Sequence, residues 1–277
     1  MAGTLYLVGT PIGNLGDFSA RGIETLKAVD FIAAEDTRVT LKLLSRFEIK
    51  KPLISYHEHN RAEMGERIID RLLSGESCAL VSDAGMPAIS DPGEVLVRQC
   101  AAQGVTVCPI PGACAAVSAL AVSGLSTGRF TFEGFISTAK KSRMEHLEGL
   151  RGEKRTMIIY EAPHKLQRTL QDLLSALGER EVSVCREMTK IHEEILRTTL
   201  SGAIAHFEKM PPRGEFVLVL QGAPEKARED ISPERAMELV AFYRDEGKSL
   251  KQSCRLASAD TGFSVNELYA LATQGLA

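Results

Sequence analysis

The stretch Val81-Ser82-Asp83-Ala84-Gly85-Met86-Pro87-Ala88-Ile89-Ser90-Asp91-Pro92-Gly93 decides how the rest of the chain is read. It leaves the short apolar run Cys78–Ser82, which has the length and composition of a buried strand, and carries two glycines, two prolines and two carboxylates. Proline fixes φ and glycine admits backbone conformations other residues avoid, so this loop is stiff and shaped. Stiff loops at strand ends commonly line pockets.

Similar short runs recur on both sides of it. Thr4–Val8, Phe31–Ala34, Cys78–Ser82 and Val105–Ile110 read as strands, and the segments between them carry helical spacing. In one of these, Asn60 with Glu63 suggests an N-terminal cap, and Met64, Ile68, Ile69, Leu72 and Leu73 line one face. Strand and helix in alternation imply a largely parallel sheet covered by helices. A second series follows, with Phe130–Phe135, Thr156–Tyr160, Val182–Cys185, Ile195–Leu200 and Glu215–Leu220 as strands and a Leu-rich helix (Leu166, Leu170, Leu173, Leu174, Leu177) that stops at Gly178. The small, Gly-containing segment Ser123–Gly128 marks a boundary, and the charged, proline-bounded segment Ala223–Pro233 a linker. The expected fold class is α/β: an N-terminal α/β domain over 1–122, a second over 123–224, and a small C-terminal all-α helix-turn-helix module over 232–277. In that module Ser232 caps a helix beginning at Pro233, Lys248–Ala259 forms the next helix, Gly262 makes the turn, and Ser264 with Glu267 caps the last.

Composition narrows the class further. The chain has 277 residues, 44% of them apolar and 25% charged, which suits a globular protein with sizeable cores and excludes disordered and collagenous chains. No run approaches the roughly 18 apolar residues of a membrane span, and the start has no signal-peptide pattern, so a cytoplasmic location is expected. Six scattered cysteines (Cys78, Cys100, Cys108, Cys114, Cys185, Cys254), none in C-x-x-C, read as reduced thiols. A formal net charge of −3 offers no global attraction to nucleic acid, so any polyanion site is a local patch.

Two further loops sit at strand-to-helix junctions. Gly9-Thr10-Pro11-Ile12-Gly13-Asn14-Leu15-Gly16 has neither the G-x-G-x-x-G spacing nor the lysine of a P-loop, so it reads either as a ligand loop or as a tight turn. Ile110-Pro111-Gly112-Ala113-Cys114-Ala115-Ala116 enters a helix of small residues, suited to a ligand or to close helix-on-sheet packing. Polar clusters follow other strands: Glu35-Asp36-Thr37-Arg38, Ser55-Tyr56-His57-Glu58-His59-Asn60, Glu161-Ala162-Pro163-His164 and Arg186-Glu187-Met188-Thr189-Lys190. His57 and His59 lack the further ligands of a recognisable metal set, and no metal is expected.

Taken in order, LVGTPIGNLGD, AAEDTR, SYHEHN, VSDAGMPAISDPG, PGACAA, FEGF, YEAPH, REMTK and GEFVLVL resemble the tetrapyrrole methylase superfamily, in its ribosomal RNA 2'-O-ribose methyltransferase branch, continuously from Gly3 to about Gly222. The resemblance implies S-adenosyl-L-methionine in a cofactor cleft between the two α/β domains, a homodimer, and methyl transfer to the 2'-hydroxyl of a cytidine in the decoding region of 16S rRNA within the small ribosomal subunit. Carried over position by position, it implies cofactor contacts at Pro11, Ala84, Gly85, Met86, Ile89, Cys114, Ala115 and Glu161, with Asp83 and Asp91 flanking the loop and serving a cationic sulfonium. Met86 stands where relatives have an aspartate. Two alternatives remain: a non-catalytic RNA-binding ribosome assembly factor that keeps the cofactor fold as a scaffold, and a methylase of a small tetrapyrrole-like substrate.

A ribose hydroxyl is a weak nucleophile at neutral pH, so a base or a cation beside the nascent alkoxide is useful. Glu35, Asp36, His57, Glu58, Glu161 and Glu187 are candidates for the first, and Arg38, Arg186 and Lys190 for the second. The expectation is that Asp36, Arg38, His57, Glu58 and Lys190 face the acceptor. RNA phosphates are expected at the basic stretch Lys140, Lys141, Arg143, Arg151, Lys154 and Arg155, and at a helical face carrying Lys248, Lys251 and Arg255. Against the latter stands the charge of residues 226–277, with seven basic and eight acidic side chains, which leaves packing against protein as the other reading.

Overall fold

The computed structural model describes residues 2–224 and 232–274. The chain divides into two compact units, Met1–Ala223 and Pro224–Ala277. Most of the expected linker, including the Lys226, Arg228, Glu229 and Asp230 of the charge balance, and the chain end 275–277 lie outside the described residues.

The first unit contains two sheets. The first is built from β1 (Thr4–Val8), β2 (Phe31–Ala34), β3 (Leu53–Ser55), β4 (Cys78–Val81) and β5 (Thr106–Ile110), in the order β3-β2-β4-β1-β5. Every pairing is parallel, as the alternation with α1 (Ala20–Ala28), α2 (Thr37–Arg46), α3 (Arg61–Leu73) and α4 (Glu94–Ala102) requires. The sheet is buried on both faces: Leu5, Phe31, Ala33 and Leu80 face one core, and Val8, Ile32, Ala34 and Val81 the other. Asn60 does begin α3 but makes no side-chain cap. Its amide accepts from His57 N and donates to Ser55 O, which shapes the loop after β3 instead.

The second sheet runs β6-β7-β10-β8-β9, from β6 (Phe130–Phe135), β7 (Thr156–Glu161), β8 (Glu181–Arg186), β9 (Glu194–Thr199) and β10 (Phe216–Leu220). Only β6 and β7 pair in parallel, and the other pairings are antiparallel. β8 turns directly into β9 without a helix, so this pair cannot be parallel. β9 ends one residue short of expectation because the Thr199 hydroxyl caps α8 (Leu200–Lys209), drawing Leu200 into the helix. The helices α6 (Lys140–Leu150), α7 (Pro163–Leu177) and α8 cover one face. Leu166, Leu170 and Leu173 of α7 are fully buried there, each contributing about 1.5–3 kcal/mol. The opposite face is covered by α5 (Ala115–Val122), whose Ala116, Ala119 and Leu120 pack on Ile158, Cys185, Val217 and Val219. The small residues of α5 thus do serve close helix-on-sheet packing, and against the second sheet.

The second unit is three helices, α9 (Pro233–Asp245), α10 (Leu250–Thr261) and α11 (Val265–Gln274), around Ala236, Val240, Cys254, Ala257 and Leu268. Ser249 and Gln252 form a capping box at α10, and Gly262 closes it in the left-handed conformation. Ser264 and Glu267 cap each other reciprocally. Lys248 precedes the Ser249 cap, so it does not share a helical face with Lys251 and Arg255. Among the described residues, no helix is long and apolar enough to cross a membrane.

Candidate functional site

A parallel sheet delivers every strand's carboxyl end to one edge, and ligands of such sheets sit there. Across this edge the loops follow the strand order: Tyr56–Asn60 after β3, Glu35–Asp36 after β2, Ser82–Gly93 after β4, Gly9–Leu15 after β1 and Pro111–Cys114 after β5. Three motifs far apart in sequence are therefore neighbours. Thr10 and Gly85 exchange backbone hydrogen bonds (2.9 and 3.1 Å), joining the first loop to the second. A Cβ on Gly112 would lie 2.6 Å from the Gly9 carbonyl oxygen, a backbone contact that only glycine permits. Ala88 and Ser90 hold positive φ (68° and 62°), conformational strain of the kind found at ligand clamps.

Between this edge and the second sheet lies a cavity of about 360 Å³, within the usual range for small-ligand sites. Asp83, Ala84, Gly85, Met86, Ile89, Cys114, Ala115 and Glu161 line it. Pro11 does not: it lines an adjoining cavity of about 400 Å³ with Leu15, Val39 and Arg46, and Ile12 takes its place. The lining also includes Asp91, expected beside the sulfonium, together with Glu35, Phe135, Tyr160, Phe216 and Val217, which the sequence did not mark as cofactor contacts. Tyr160 ties β7 to the start of α5, its hydroxyl accepting from Ala116 N and its ring meeting Phe132 and Phe135 edge-to-face. Burial pushes its phenol up to about 12.

The cavity is acidic. Glu35 accepts from Asp83 N (3.4 Å) and Asp83 accepts from Asp36 N (3.1 Å), which cross-ties the loops after β2 and β4. Burial, with the neighbouring carboxylates, raises Glu35 and Asp83 above the ordinary range. Asp91 is pushed up to about 6 by burial first and by the Glu35 charge second. Such a site favours a cation. Glu35, Ser90 and Asp91 also line a polar groove of about 520 Å³ with His57, Glu58, His59 and Glu94. Three side chains therefore form a wall common to cavity and groove.

The residues expected to face the acceptor are dispersed. Asp36 caps α2 through Arg38 N (2.8 Å), and its carboxylate is paired with the Arg38 guanidinium, whose hydrogen bonds hold it at about 2, so Asp36 is a poor base. His57 and Glu58 line the groove; the Nδ1 of His57 is buried without a partner among the described residues, and Glu58 pairs with Arg61 at the surface. Lys190 lines neither cavity nor groove. Its ammonium bridges Glu187 (2.9 Å) and Glu215 (3.0 Å), and its stem packs on Gly13. Burial alone would lower Lys190, but these two carboxylates outweigh it and raise it, so the ammonium is committed to its own salt bridges. In the basic stretch Lys140, Lys141 and Lys154 are exposed, Lys141 lying 3.9 Å from Glu145, and Arg151 and Arg155 pair with Glu148 and Glu153. Arg143 is corrected outright. It is 4% exposed and bound to Asp172 and Thr169, so no phosphate reaches it. In the second unit Lys251 and Arg255 are exposed, and Lys248 pairs with Glu246.

A family model described as tetrapyrrole (corrin/porphyrin) methylases matches residues 4–204. A protein of Synechocystis named ribosomal RNA small subunit methyltransferase I is 48% identical, over 98% of this chain and 98% of its own length. A protein of the same name from Thermotoga maritima is 48% identical over 79% of this chain and 99% of its own length. Among solved structures, a uroporphyrin-III C-methyl transferase from Thermus thermophilus, complexed with S-adenyl homocysteine, superposes with a TM-score of 0.56 at 16% identity, over 79% of this chain and 97% of that one. That likeness concerns the fold alone. The chain belongs to the tetrapyrrole (corrin/porphyrin) methylase family, in the group that bears the name ribosomal RNA small subunit methyltransferase I.

Proposed function

We propose that this chain transfers a methyl group from S-adenosyl-L-methionine to ribosomal RNA, and that the acceptor is the 2'-hydroxyl of a cytidine in the decoding region of 16S rRNA, presented by the small subunit. The observation that carries this reading is the 48% identity over nearly the whole length with a protein named for that class of activity. The cavity supports the cofactor. It offers apolar walls at Met86, Ile89, Phe216 and Val217, free edges of a helix start at Cys114 and Ala115, and carboxylates at Asp83, Asp91 and Glu161, a donor set suited to a nucleoside with a cationic tail.

Bound there, the cofactor supplies an electrophilic methyl on a sulfonium. The protein's part is to hold the acceptor in line, keep water out and take one proton. Asp91 suits the last task best: it stands on the wall common to cavity and groove, and near 6 it is ionised at neutral pH while more basic than an ordinary aspartate. The polar groove, with His57 and Glu58, is where we place the ribose. Lys140 and Lys141, exposed at the start of α6, are our phosphate contacts in the first unit, and Lys251 and Arg255 in the second. The proposal includes a homodimer, for which Val117, Phe130 and Ile191 offer exposed apolar side chains, and light scattering reads it out directly.

The test is methyl transfer from labelled S-adenosylmethionine to small subunits, free 16S rRNA and porphyrin precursors in parallel. Label on the subunits or the rRNA supports the proposal. Label on porphyrins alone makes the chain a small-molecule methylase, and no label anywhere, with rRNA binding intact, makes it an assembly factor.

A further inference from the structure

Three buried polar side chains on three elements form a continuous chain that ends at the cavity. Arg143 on α6 is 4% exposed, Thr169 on α7 fully buried, and Glu161 at the end of β7 3% exposed. Arg143 Nη2 donates to Thr169 Oγ1 (2.9 Å), and the Thr169 hydroxyl donates to Glu161 Oε2. Glu161 Oε1 accepts from Ala162 N (2.8 Å). A guanidinium only donates, so the single hydroxyl proton of Thr169 must point at Glu161, and the direction of the relay is fixed.

The charges of this cluster balance in number, Arg143 and Arg168 against Asp172 and Glu161, but both cations sit at the Asp172 end. The Arg143 guanidinium is met directly by Asp172 (2.7 Å) and reaches Glu161 only through the hydroxyl. Arg168 lies 3.7 Å from Asp172 on the solvent side, and Glu161 forms no salt bridge among the described residues. A buried carboxylate without a cation is costly, and this one lies on the wall of an open cavity. A cation in direct contact with Glu161 has to come from whatever fills that space.

We propose that Arg143 and Thr169 are positioning residues: they lock the Glu161 carboxylate so that it receives a cationic group of the bound ligand. This rests on the cofactor reading above. S-adenosylmethionine carries two cations, an ammonium and a sulfonium; S-adenosylhomocysteine keeps only the ammonium; 5'-methylthioadenosine has neither. Binding of these three compounds to the full-length protein therefore identifies the group without any turnover.

Calorimetric titration of the three compounds into wild type, Thr169→Val and Thr169→Ser is the test. Loss of a hydrogen bond to a charged group predicts that Thr169→Val weakens the cation-bearing ligand by about 10-fold or more. Methylthioadenosine should bind as in wild type, and Thr169→Ser, which keeps the hydroxyl, should restore the affinity. A loss shared by S-adenosylmethionine and S-adenosylhomocysteine assigns the ammonium, and a loss confined to S-adenosylmethionine assigns the sulfonium. Either supports the relay. Equal weakening of methylthioadenosine overturns it in favour of a merely structural role, and unchanged affinities in Thr169→Val overturn it outright. If wild type binds none of the three, the cofactor reading itself falls and this one with it.

Discussion

Gly85 is where backbone, cavity and ligand can be separated by two substitutions. Its φ is +85°, its N–H and C=O both pair with Thr10, and an added Cβ would meet Ile12 Cγ2 at 3.5 Å and Ala113 O at 3.6 Å, which is ordinary contact. Gly85→Ala therefore fits sterically and costs mainly the left-handed conformation, about 1–2 kcal/mol. Gly85→Val is β-branched, raises that to about 3 kcal/mol, and adds bulk at the wall of the cavity of about 360 Å³. At about 2–4 °C per kcal/mol for a unit of this size, the apo Tm should fall by about 2–8 °C in the alanine variant and by about 6–12 °C in the valine variant. Both losses are below the roughly 5–15 kcal/mol of a typical domain, so both variants fold. Ligand at about 100 times its Kd adds about 2.7 kcal/mol, or about 5–11 °C on the same scale. Thermal scans with and without S-adenosylhomocysteine, alongside far-UV circular dichroism, should show the rise in wild type and Gly85→Ala and its absence in a folded Gly85→Val. A full ligand-induced rise in Gly85→Val would refute the assignment of this cavity, and loss of native dichroism in both variants would make the loop a structural element only.

Asp91, near 6 in the folded chain against an ordinary 3.8, binds its proton more tightly folded than unfolded, so its contribution is fully present below about 3.8 and is lost as pH rises through about 6. At 1.36 kcal/mol per unit the loss is at most about 3 kcal/mol, and smaller after solvent screening at a partly exposed site. Asp91→Asn should therefore match wild type near pH 4, exceed its Tm at pH 7.5 and lose most methyl transfer; a lower Tm at pH 7.5 would contradict the burial cause. Lys140→Glu with Lys141→Glu should reduce the slope of log affinity against log salt for subunit binding by about 1–2, and an unchanged slope removes this contact. Ending the chain after Pro224 should leave cofactor binding intact, because the first unit holds its own cores, and should lower methylation of the ribosomal substrate; full-rate methylation by the truncated chain would show that the helical module does not dock substrate.

Four strands of the first sheet were legible because a parallel sheet leaves local marks, short apolar runs with helical spacing between them, whereas the edge strand β3, only three residues long, was not marked out. The near wall of the cavity was legible for the same reason, since Gly85, Pro87, Gly93 and Gly112 advertise shaped backbone. The far wall was not. Phe135, Tyr160, Phe216 and Val217 lie at or near strand ends and read in sequence like any core strand. The mixed sense of the second sheet depends on β10 inserting between β7 and β8, a pairing no local pattern encodes. Arg143 reads as part of a basic stripe with Lys140 and Lys141 because its partners Thr169 and Asp172 lie on the next helix, and only the packing of α6 on α7 brings them together. Asn60 carries a cap signature, yet its amide is spent on Ser55 and His57.

The chemical identity of the methylated atom tests the central claim most directly. Alkaline hydrolysis of RNA uses the 2'-hydroxyl as its nucleophile, so a 2'-O-methyl group protects the adjoining linkage, whereas a methyl on a base does not. Incubating unmethylated small subunits with the protein and S-adenosylmethionine, then resolving an alkaline ladder of the decoding region beside nucleoside mass spectrometry, should give one protected step at a cytidine together with 2'-O-methylcytidine. An unbroken ladder with the methyl found on a base, or no methylated nucleoside at all, would contradict the account.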